Sequence, residues 1–279
     1  MRVRYSIWDP SGNITALVES PVPDGRQSAV AAELMARHPA VEQLGFVSWR
    51  AEDGADAALR MAGGEFCGNA SMSAAALLQS RMESTAPSGA WINRSLRVSG
   101  AKQPVAVRLQ GEKEDVYRGA VCMPKARAIV ETAFRWGSLY GRLPLVRMEG
   151  IAHLIVSDAS PLFALKAQPA EAEEAVKAWC AALKAEGLGL MFLQRGEGDP
   201  RLTPLVYIPG SATVFWESSC ASGSSAVGMA LAAGSGRAQR LTLTQPGGRL
   251  QVESDPESGE TWLYGRTALL GQYDTEIRG

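Results

Sequence analysis

Two cysteines are the residues of this chain best suited to chemistry. Cys67 lies in the run Gly63-Gly64-Glu65-Phe66-Cys67-Gly68-Asn69-Ala70, just before an alanine-rich segment. Cys220 lies in a similar run, 217–225, which also leads into small residues. Each cysteine is therefore expected at the N-terminus of a helix, where N–H groups and the helix dipole stabilise a thiolate and lower its pKa. The matching flanks indicate an internal duplication that supplies one thiol from each half.

Two such thiols suit the removal and return of a proton at a carbon next to a carboxylate. One sulfur, as thiolate, takes the proton from one face, and the other, as thiol, delivers a proton to the opposite face. The amides of Gly68 and Asn69, at the start of the first helix, are placed to hold a carboxylate. They would stabilise the charge that develops there in the transition state.

Composition excludes several other classes of protein. The chain has 279 residues, with 46% hydrophobic and 20% charged residues, as expected for a globular protein with a sizeable core. A net charge of -1 gives no electrostatic reason to expect nucleic acid or an anionic membrane as a partner. No signal-like or bilayer-spanning apolar stretch is evident, so a cytoplasmic location is expected. The four cysteines lack metal-ligand spacing, which predicts a reduced, metal-free protein with Cys122 and Cys180 as inert core thiols.

The pattern of short strands and small-residue helices predicts an α/β (α+β) chain of two similar halves. An early hairpin is expected to present Asn13 in its loop, and 169–186 reads as a peripheral helix. A helix of Ala, Ser and Gly has no broad apolar stripe and suits the inside of a curled sheet. We therefore expect each half to be a curved, mostly antiparallel sheet around a central helix. The predicted domains are 1–124 with 267–279, containing Cys67, and 125–266, containing Cys220.

Both cysteine runs resemble signatures of the diaminopimelate epimerase family. The shared wording is Gly-Gly-x-x-Cys-Gly-Asn-Ala around Cys67 and Glu-x-x-Cys-x-Ser-Gly around Cys220. The resemblance implies two pseudo-symmetric domains and a racemase or epimerase that uses neither pyridoxal phosphate nor metal. It also implies that Cys67 and Cys220 are the bases. Amides of 68–69 and of Ala221 and Ser222 would bind the substrate's α-carboxylate.

Departures from that family concern the distal end of the substrate. The segment 207–212 lacks the Glu-Arg pair usual in diaminopimelate epimerases, and Gly150-Ile151-Ala152-His153 lacks the Asn and Pro of the usual Gly-Asn-Pro-His. Ser71-Met72-Ser73 has no Arg, and Ala221 stands where Gly is usual. A site for a second zwitterionic group is thus missing. The chain more closely resembles the branch of histidine racemases that supply D-histidine for opine metallophore synthesis.

Several residues keep two interpretations from sequence alone. Glu217 either accepts a hydrogen bond from the substrate ammonium or is a structural carboxylate that caps the helix or forms a salt bridge. Ser222 either contacts substrate or is an N-cap. Asn13 is a candidate substrate contact. Glu65 is interpreted as structural, and His153 as a buried histidine with its hydrogen bonds satisfied. The expected partners are a small amino acid and, as an open option, a second copy of the chain in a homodimer; no cofactor is expected.

Four alternatives remain. The chain is a diaminopimelate epimerase, a racemase of another amino acid, an isomerase like those of phenazine biosynthesis, or a redox sensor in which Cys67 and Cys220 form a reversible disulfide. Retention of both cysteines argues against the phenazine-type isomerase, which replaces the pair with a carboxylate. Exchange of the substrate α-proton separates any of the racemases from the sensor.

Overall fold

A computed structural model describes residues 1–51, 53–82 and 89–277, with the side chain of Ser211 also left undescribed. Contacts divide the chain into two compact units. Unit 1 comprises Met1–Cys122 and Tyr264–Gly279, and unit 2 comprises Met123–Leu263. None of the helices in the described residues combines the length and apolar character that crossing a membrane requires.

Unit 1 is a closed β-barrel with a helix inside it. Its elements, in chain order, are β1 (Arg2–Pro10), β2 (Thr15–Val18), α1 (Asp24–Arg37), β3 (Gln43–Ser48), β4 (Ala57–Met61), α2 (Gly68–Arg81), β5 (Ile92–Val98), β6 (Val105–Lys113), β7 (Val116–Cys122) and, from Tyr264 onward, β16 (Thr261–Glu276). The strands follow one another from β1 to β7 and then β16, which closes the barrel by pairing antiparallel with β1. Within unit 1, β2–β3 and β4–β5 are the parallel pairs among those whose register is described.

The strand β1 is buried on both faces, because one helix of unit 1 packs outside the barrel and the other lies inside it. Val3, Tyr5 and Ile7 pack with the apolar face of α1 on the outer side of the sheet. The alternate side chains of Ser6 and Trp8 are also fully buried, and the Trp8 indole donates a hydrogen bond to Ser6 Oγ at 2.9 Å. A strand buried on both faces does not alternate apolar and polar residues.

The small residues of α2 allow it to fill the barrel. Every residue from Gly68 to Leu77 is buried, and α2 contacts strands β1 to β7. A Cβ on Gly119 of β7 would lie 2.4 Å from Met72 Cγ of α2, so the barrel wall needs glycine where the helix comes closest. The prediction of a small-residue helix inside a curled sheet is confirmed for this unit.

Unit 2 also surrounds a small-residue helix with strands. Its elements are β8 (Ala128–Trp136), β9 (Leu139–Arg147), β10 (Ala152–Ser157), α3 (Pro169–Leu183), β11 (Leu188–Gln194), β12 (Arg201–Ile208), β13 (Thr213–Trp216), α4 (Ala221–Ser235), β14 (Gln239–Gln245) and β15 (Gly248–Ser254), with 3-10 helices at Pro161–Ala167 and Pro209–Ser211. Residues of α3 pack on the apolar face of β10 and β11. The helix α4 contacts β8 to β11, β14 and β15.

The hairpin of β8 and β9 has many exposed positions along both strands. The strand β16 extends over 16 residues. The helix α4 passes Gly234 and ends at Ser235, because Gly236 (φ 65°) supplies the left-handed cap.

Candidate active-site cysteines

Cys67 is the N-cap of α2 and is 6% exposed. Its extended backbone lets the sulfur turn back over the first helical turn, where Sγ accepts a hydrogen bond from the Ala70 N–H at 3.4 Å. The Ser71 hydroxyl donates to the carbonyl oxygen of Cys67 at 2.7 Å. The amides of Gly68 and Asn69, the first two of the helix, point toward its N-terminal end, as helix geometry requires.

The loop before Cys67 is fixed by the segment after β5. Ser99 Oγ accepts a hydrogen bond from the Met61 N–H and donates to the Glu65 carbonyl, at 2.9 and 2.8 Å. Gly100 has φ +71°, and a Cβ there would lie only 2.4 Å from the Phe66 nitrogen. The segment 99–100 therefore sets where the loop enters α2.

Cys220 is the N-cap of α4 and repeats this geometry within unit 2. Its Sγ accepts from the Gly223 N–H at 3.3 Å, and the Ser224 hydroxyl donates to the Cys220 carbonyl at 2.6 Å. The residue is 4% exposed. Both cysteines thus share an extended N-cap backbone, an N–H three residues on that donates to sulfur, and a serine hydroxyl four residues on that donates to the cysteine carbonyl. The motif Cys-x-x-x-Ser in both halves is the sequence signal for this pattern, and the sequence reading missed it.

The electrostatics of Cys220 differ from the sequence prediction. Burial raises the pKa of the Cys220 thiol well above its ordinary value. The negative charge of Glu217 and the hydrogen bond between this carboxylate and the thiol raise the pKa further, whereas the Gly223 N–H and the Ser222 hydroxyl lower it less. The prediction of a lowered pKa is therefore wrong for Cys220, because burial and a neighbouring anion outweigh the start of the helix.

The candidate binding residues divide between the units. Gly68 and Asn69 adjoin Cys67, whereas Glu217, Ala221 and Ser222 lie beside Cys220. The Ser222 hydroxyl is 3.6 Å from Cys220 Sγ, and the Glu217 backbone N–H donates to the Pro204 carbonyl at 3.1 Å. Each candidate binding residue thus lies near the cysteine of its own unit because the two are neighbours in the chain.

Asn13 is a buried polar residue of unit 1, and Glu65 is a half-buried carboxylate in the loop before Cys67. Asn13 is fully buried in the β1–β2 loop and donates from Nδ2 to Glu42 Oε2 at 2.9 Å. Its Oδ1 accepts no hydrogen bond within the described residues. Burial raises the pKa of Glu65, and a hydrogen bond to its own backbone lowers the pKa in part. Its carboxylate folds back over Gly63, where an added Cβ would lie 2.3 Å from Oε2.

His153 contradicts the prediction of a satisfied structural histidine. It is fully buried, and neither ring nitrogen has a hydrogen-bond partner within the described residues. Leu154 belongs to the core packed on α3, so His153 projects to the opposite, α4-facing side of β10. Gly189 makes room for this ring and Gly223 for Met191, since added Cβ atoms would lie 2.4 Å from His153 Nδ1 and 2.0 Å from Met191 Sδ.

Cys122 and Cys180 are the two cysteines that do not begin a helix. Cys180 is buried in the core packed on α3, and its thiol donates to the Ala185 carbonyl at 3.3 Å. None of the four cysteines, all of which lie in the described residues, forms a disulfide bond. The described part of the chain holds no group of three or more His, Cys, Asp or Glu side chains that could bind a metal ion.

Solved structures of low sequence identity share this fold. A hydroxyproline epimerase from Agrobacterium vitis, solved with bound trans-4-hydroxy-L-proline, aligns with a TM-score of 0.70 at 15% identity, over 98% of this chain and 91% of the other. A phenazine biosynthesis protein of the PhzF family from Bacillus anthracis aligns with a TM-score of 0.64 at 11% identity, over 99% of this chain and 100% of the other. At these identities the likeness shows the fold alone.

Sequence relatives define the class and then the family. A histidine racemase of Staphylococcus aureus is 31% identical over 99% of this chain and 93% of its own length. One from Fusobacterium nucleatum is 30% identical over 88% of both chains. The chain is thus an isomerase of the racemase and epimerase class. Residues 2–263 match the family described as "Histidine racemase CntK N-terminal domain", so the chain belongs to the histidine racemase family.

The family result narrows the sequence-based resemblance. The match is to the histidine racemases, the branch that the departures from the diaminopimelate epimerase pattern favoured. The wider assignment to the diaminopimelate epimerase family is not supported by these comparisons. The solved structures described above are of the hydroxyproline epimerase and PhzF types, which supports an α+β fold with a closed barrel in unit 1.

Proposed function

We propose that this chain interconverts L- and D-histidine without a cofactor, with Cys67 and Cys220 as the two acid–base groups. The observation that carries the proposal is the repeated N-cap geometry, in which a helix amide donates to each sulfur, at 3.4 Å for Cys67 and 3.3 Å for Cys220. Membership of the histidine racemase family supports both the reaction and the substrate.

In this mechanism the cysteines alternate as base and acid. The thiolate of one cysteine takes the α-proton of histidine, and the electron pair left on the α-carbon delocalises into the carboxylate. The thiol of the other cysteine then delivers a proton to the opposite face, which inverts the centre and leaves that cysteine as thiolate. Amides of Gly68 and Asn69, and of Ala221 and Ser222, are proposed to stabilise the charged carboxylate. A pseudo-symmetric pair of halves, with one base each, remains part of the proposal.

Glu217 gives substrate binding a direct effect on Cys220. The carboxylate beside the sulfur holds the proton on the thiol, because its negative charge disfavours a second anion. The ammonium group of an amino acid that binds Glu217 would offset this charge and lower the pKa of Cys220. Thiolate formation would then occur mainly when substrate is present.

The decisive experiment follows the α-proton of histidine. Purified protein, given L-histidine in deuterated buffer without added cofactor, is expected to produce D-histidine with deuterium at the α-carbon, measured by chiral chromatography and mass spectrometry. Cys67→Ser and Cys220→Ser are each expected to reduce turnover by roughly 10²–10⁴-fold, the contribution of a general acid or base. Cys180→Ala is the matched control and should retain turnover.

Other outcomes of the same assay would replace the proposal. Exchange of the α-proton of diaminopimelate but not of histidine would indicate a diaminopimelate epimerase. Loss of activity after aminooxyacetate treatment would indicate a carbonyl cofactor such as pyridoxal phosphate. No exchange with any amino acid, together with reversible oxidation of both cysteines, would favour a redox sensor.

We further propose that the D-histidine feeds the synthesis of an opine metallophore, the role of the branch that the sequence resembles. A strain that lacks this gene should then make no metallophore, and added D-histidine should restore production while L-histidine does not. Restoration by L-histidine would overturn this role and leave the racemase proposal intact.

A further inference from the structure

We infer that Gln245 is a positioning residue for Cys220; this inference rests on the proposed racemase function. Gln245 is the last residue of β14 and is 5% exposed. Its Oε1 accepts a hydrogen bond from the Cys220 backbone N–H at 2.8 Å. Its Nε2 donates to Ser224 Oγ at 3.0 Å.

These contacts close a ring around the backbone of Cys220. Ser224 Oγ accepts from Gln245 and donates to the Cys220 carbonyl at 2.6 Å, so both backbone polar groups of the cysteine belong to one network. The directions of the bonds are fixed, because a backbone N–H only donates and must meet the amide oxygen of Gln245. The Gly247 N–H, in the turn after Gln245, donates to the Ser218 carbonyl at 2.8 Å and holds the segment before the cysteine.

The ring determines where the sulfur lies. Cys220 has the extended backbone of an N-cap, φ −116° and ψ 110°, and this conformation directs Sγ to the Gly223 N–H. The direction of the Cα–Cβ bond follows from the two peptide planes that the ring holds. Proton transfer depends steeply on this placement, since a misplacement of about 1 Å can reduce a rate by roughly 10²-fold.

Gln245→Met tests the inference, because methionine has a similar length and no amide. We expect kcat for histidine racemisation to decrease roughly 10- to 100-fold, with KM within about threefold, because Gln245 positions a base and does not bind substrate. Ser224→Ala opens the ring at its other member and should act in the same sense, which provides a second variant if Gln245→Met fails to fold. Gln251→Leu, a half-buried amide on the neighbouring strand β15, is the matched control and should keep kcat.

Isotope effects separate positioning from a loss of folded enzyme. A slower proton transfer at Cys220 should increase the effect of α-deuterated substrate for the enantiomer whose proton Cys220 removes. When the other enantiomer is the substrate, Cys220 delivers a proton to the carbanion. Slower transfer at Cys220 should then decrease the isotope effect of α-deuterated substrate and increase the solvent isotope effect. A smaller folded fraction would lower kcat and leave every isotope effect unchanged.

Two results would overturn different statements. Wild-type protein that exchanges the histidine α-proton, with isotope effects unaltered or altered equally in both directions by Gln245→Met, would overturn the role of Gln245 alone. Wild-type protein that exchanges no α-proton would overturn the proposed racemase function.

Discussion

The protonation of one sulfur is decided by its immediate neighbours. Both cysteines accept an N–H at a helix start, an arrangement that by itself favours thiolate. At Cys220, burial and the Glu217 carboxylate act in the opposite direction and prevail, so the pKa of the resting thiol is raised. The sequence indicates that a cysteine begins a helix, whereas the balance between burial and charge that sets its pKa depends on the tertiary structure.

The variant Glu217→Gln should lower the pKa of Cys220, because it removes both the negative charge and the strong acceptor that hold the thiol proton. The measurement is the pH dependence of Cys220 alkylation by iodoacetamide, followed on its peptide by mass spectrometry. The midpoint should move to lower pH in the variant. Glu186→Gln, an exposed carboxylate of the same unit, is the control and should leave the midpoint unchanged. An unshifted midpoint in Glu217→Gln would exclude Glu217 as the cause.

At the scale of elements, each cysteine depends on a strand turn that lies far away in sequence. The loop before Cys67 rests on Ser99 and Gly100 after β5, and the segment before Cys220 is held by Gln245 and Gly247 after β14. Gly100 allows the close approach to the Phe66 nitrogen, and the Gly247 N–H donates to the Ser218 carbonyl. The helices are thus positioned at their N-termini, where the sulfurs are.

Gly100→Ala should destabilise the protein more than Gly54→Ala. The two glycines have nearly the same φ, +71° and +73°, so the cost of a left-handed alanine is common to both, about 1–2 kcal/mol. Only at Gly100 would the new Cβ also meet backbone, the Phe66 nitrogen at 2.4 Å, whereas no atom of the described residues lies within 4 Å of a Cβ at Gly54. We expect an additional loss of roughly 1–3 kcal/mol in the free energy of unfolding, measured in urea.

Histidine turnover gives this comparison a second readout. Gly100→Ala should also reduce racemisation, because the loop that Gly100 contacts leads directly into Cys67, while Gly54→Ala should not. Equal stability and equal turnover of the two variants would contradict the close approach of 100 to the loop.

At the scale of the whole molecule, polar groups inside the units connect stability to pH. His153 is fully buried without a hydrogen-bond partner in the described residues, and burial lowers its pKa from 6.5 to about 3. Above pH 6.5 the ring is neutral in both the folded and the unfolded chain, so it contributes no pH dependence. As the pH falls below 6.5, the unfolded chain takes up a proton that the folded chain does not, and stability decreases.

The variant His153→Phe should remove this part of the acid sensitivity. Between pH 7.5 and 5.5, the wild-type protein should lose about 1.4 kcal/mol more of its free energy of unfolding than the variant, from one pH unit below an unfolded pKa of 6.5. Urea denaturation at the two pH values measures the difference, and titrations common to both proteins cancel. Equal losses would contradict the prediction, because they would show that folding does not lower the pKa of His153.

Sequence alone identified the two candidate catalytic cysteines and determined the composition of the central helices. The residues around Cys67 and Cys220 specify an N-cap cysteine and a small-residue helix, both of which are local in the chain. The departures from the diaminopimelate epimerase pattern favoured the histidine racemase branch, which the family match confirms. Local sequence suffices here because caps and turns are set by residues within a few positions of one another.

Only the tertiary structure decided what depends on distant partners. It closed the barrel of unit 1 through β16 and β1, joining strands from opposite ends of the chain. It placed Gln245 on the backbone of Cys220, 25 residues away, and made burial outweigh the helix start in the pKa of Cys220. It also left the ring of His153 without a hydrogen-bond partner among the residues that the structure describes. Burial and long-range hydrogen bonds are properties of packing, and no short stretch of sequence contains both partners of such a contact.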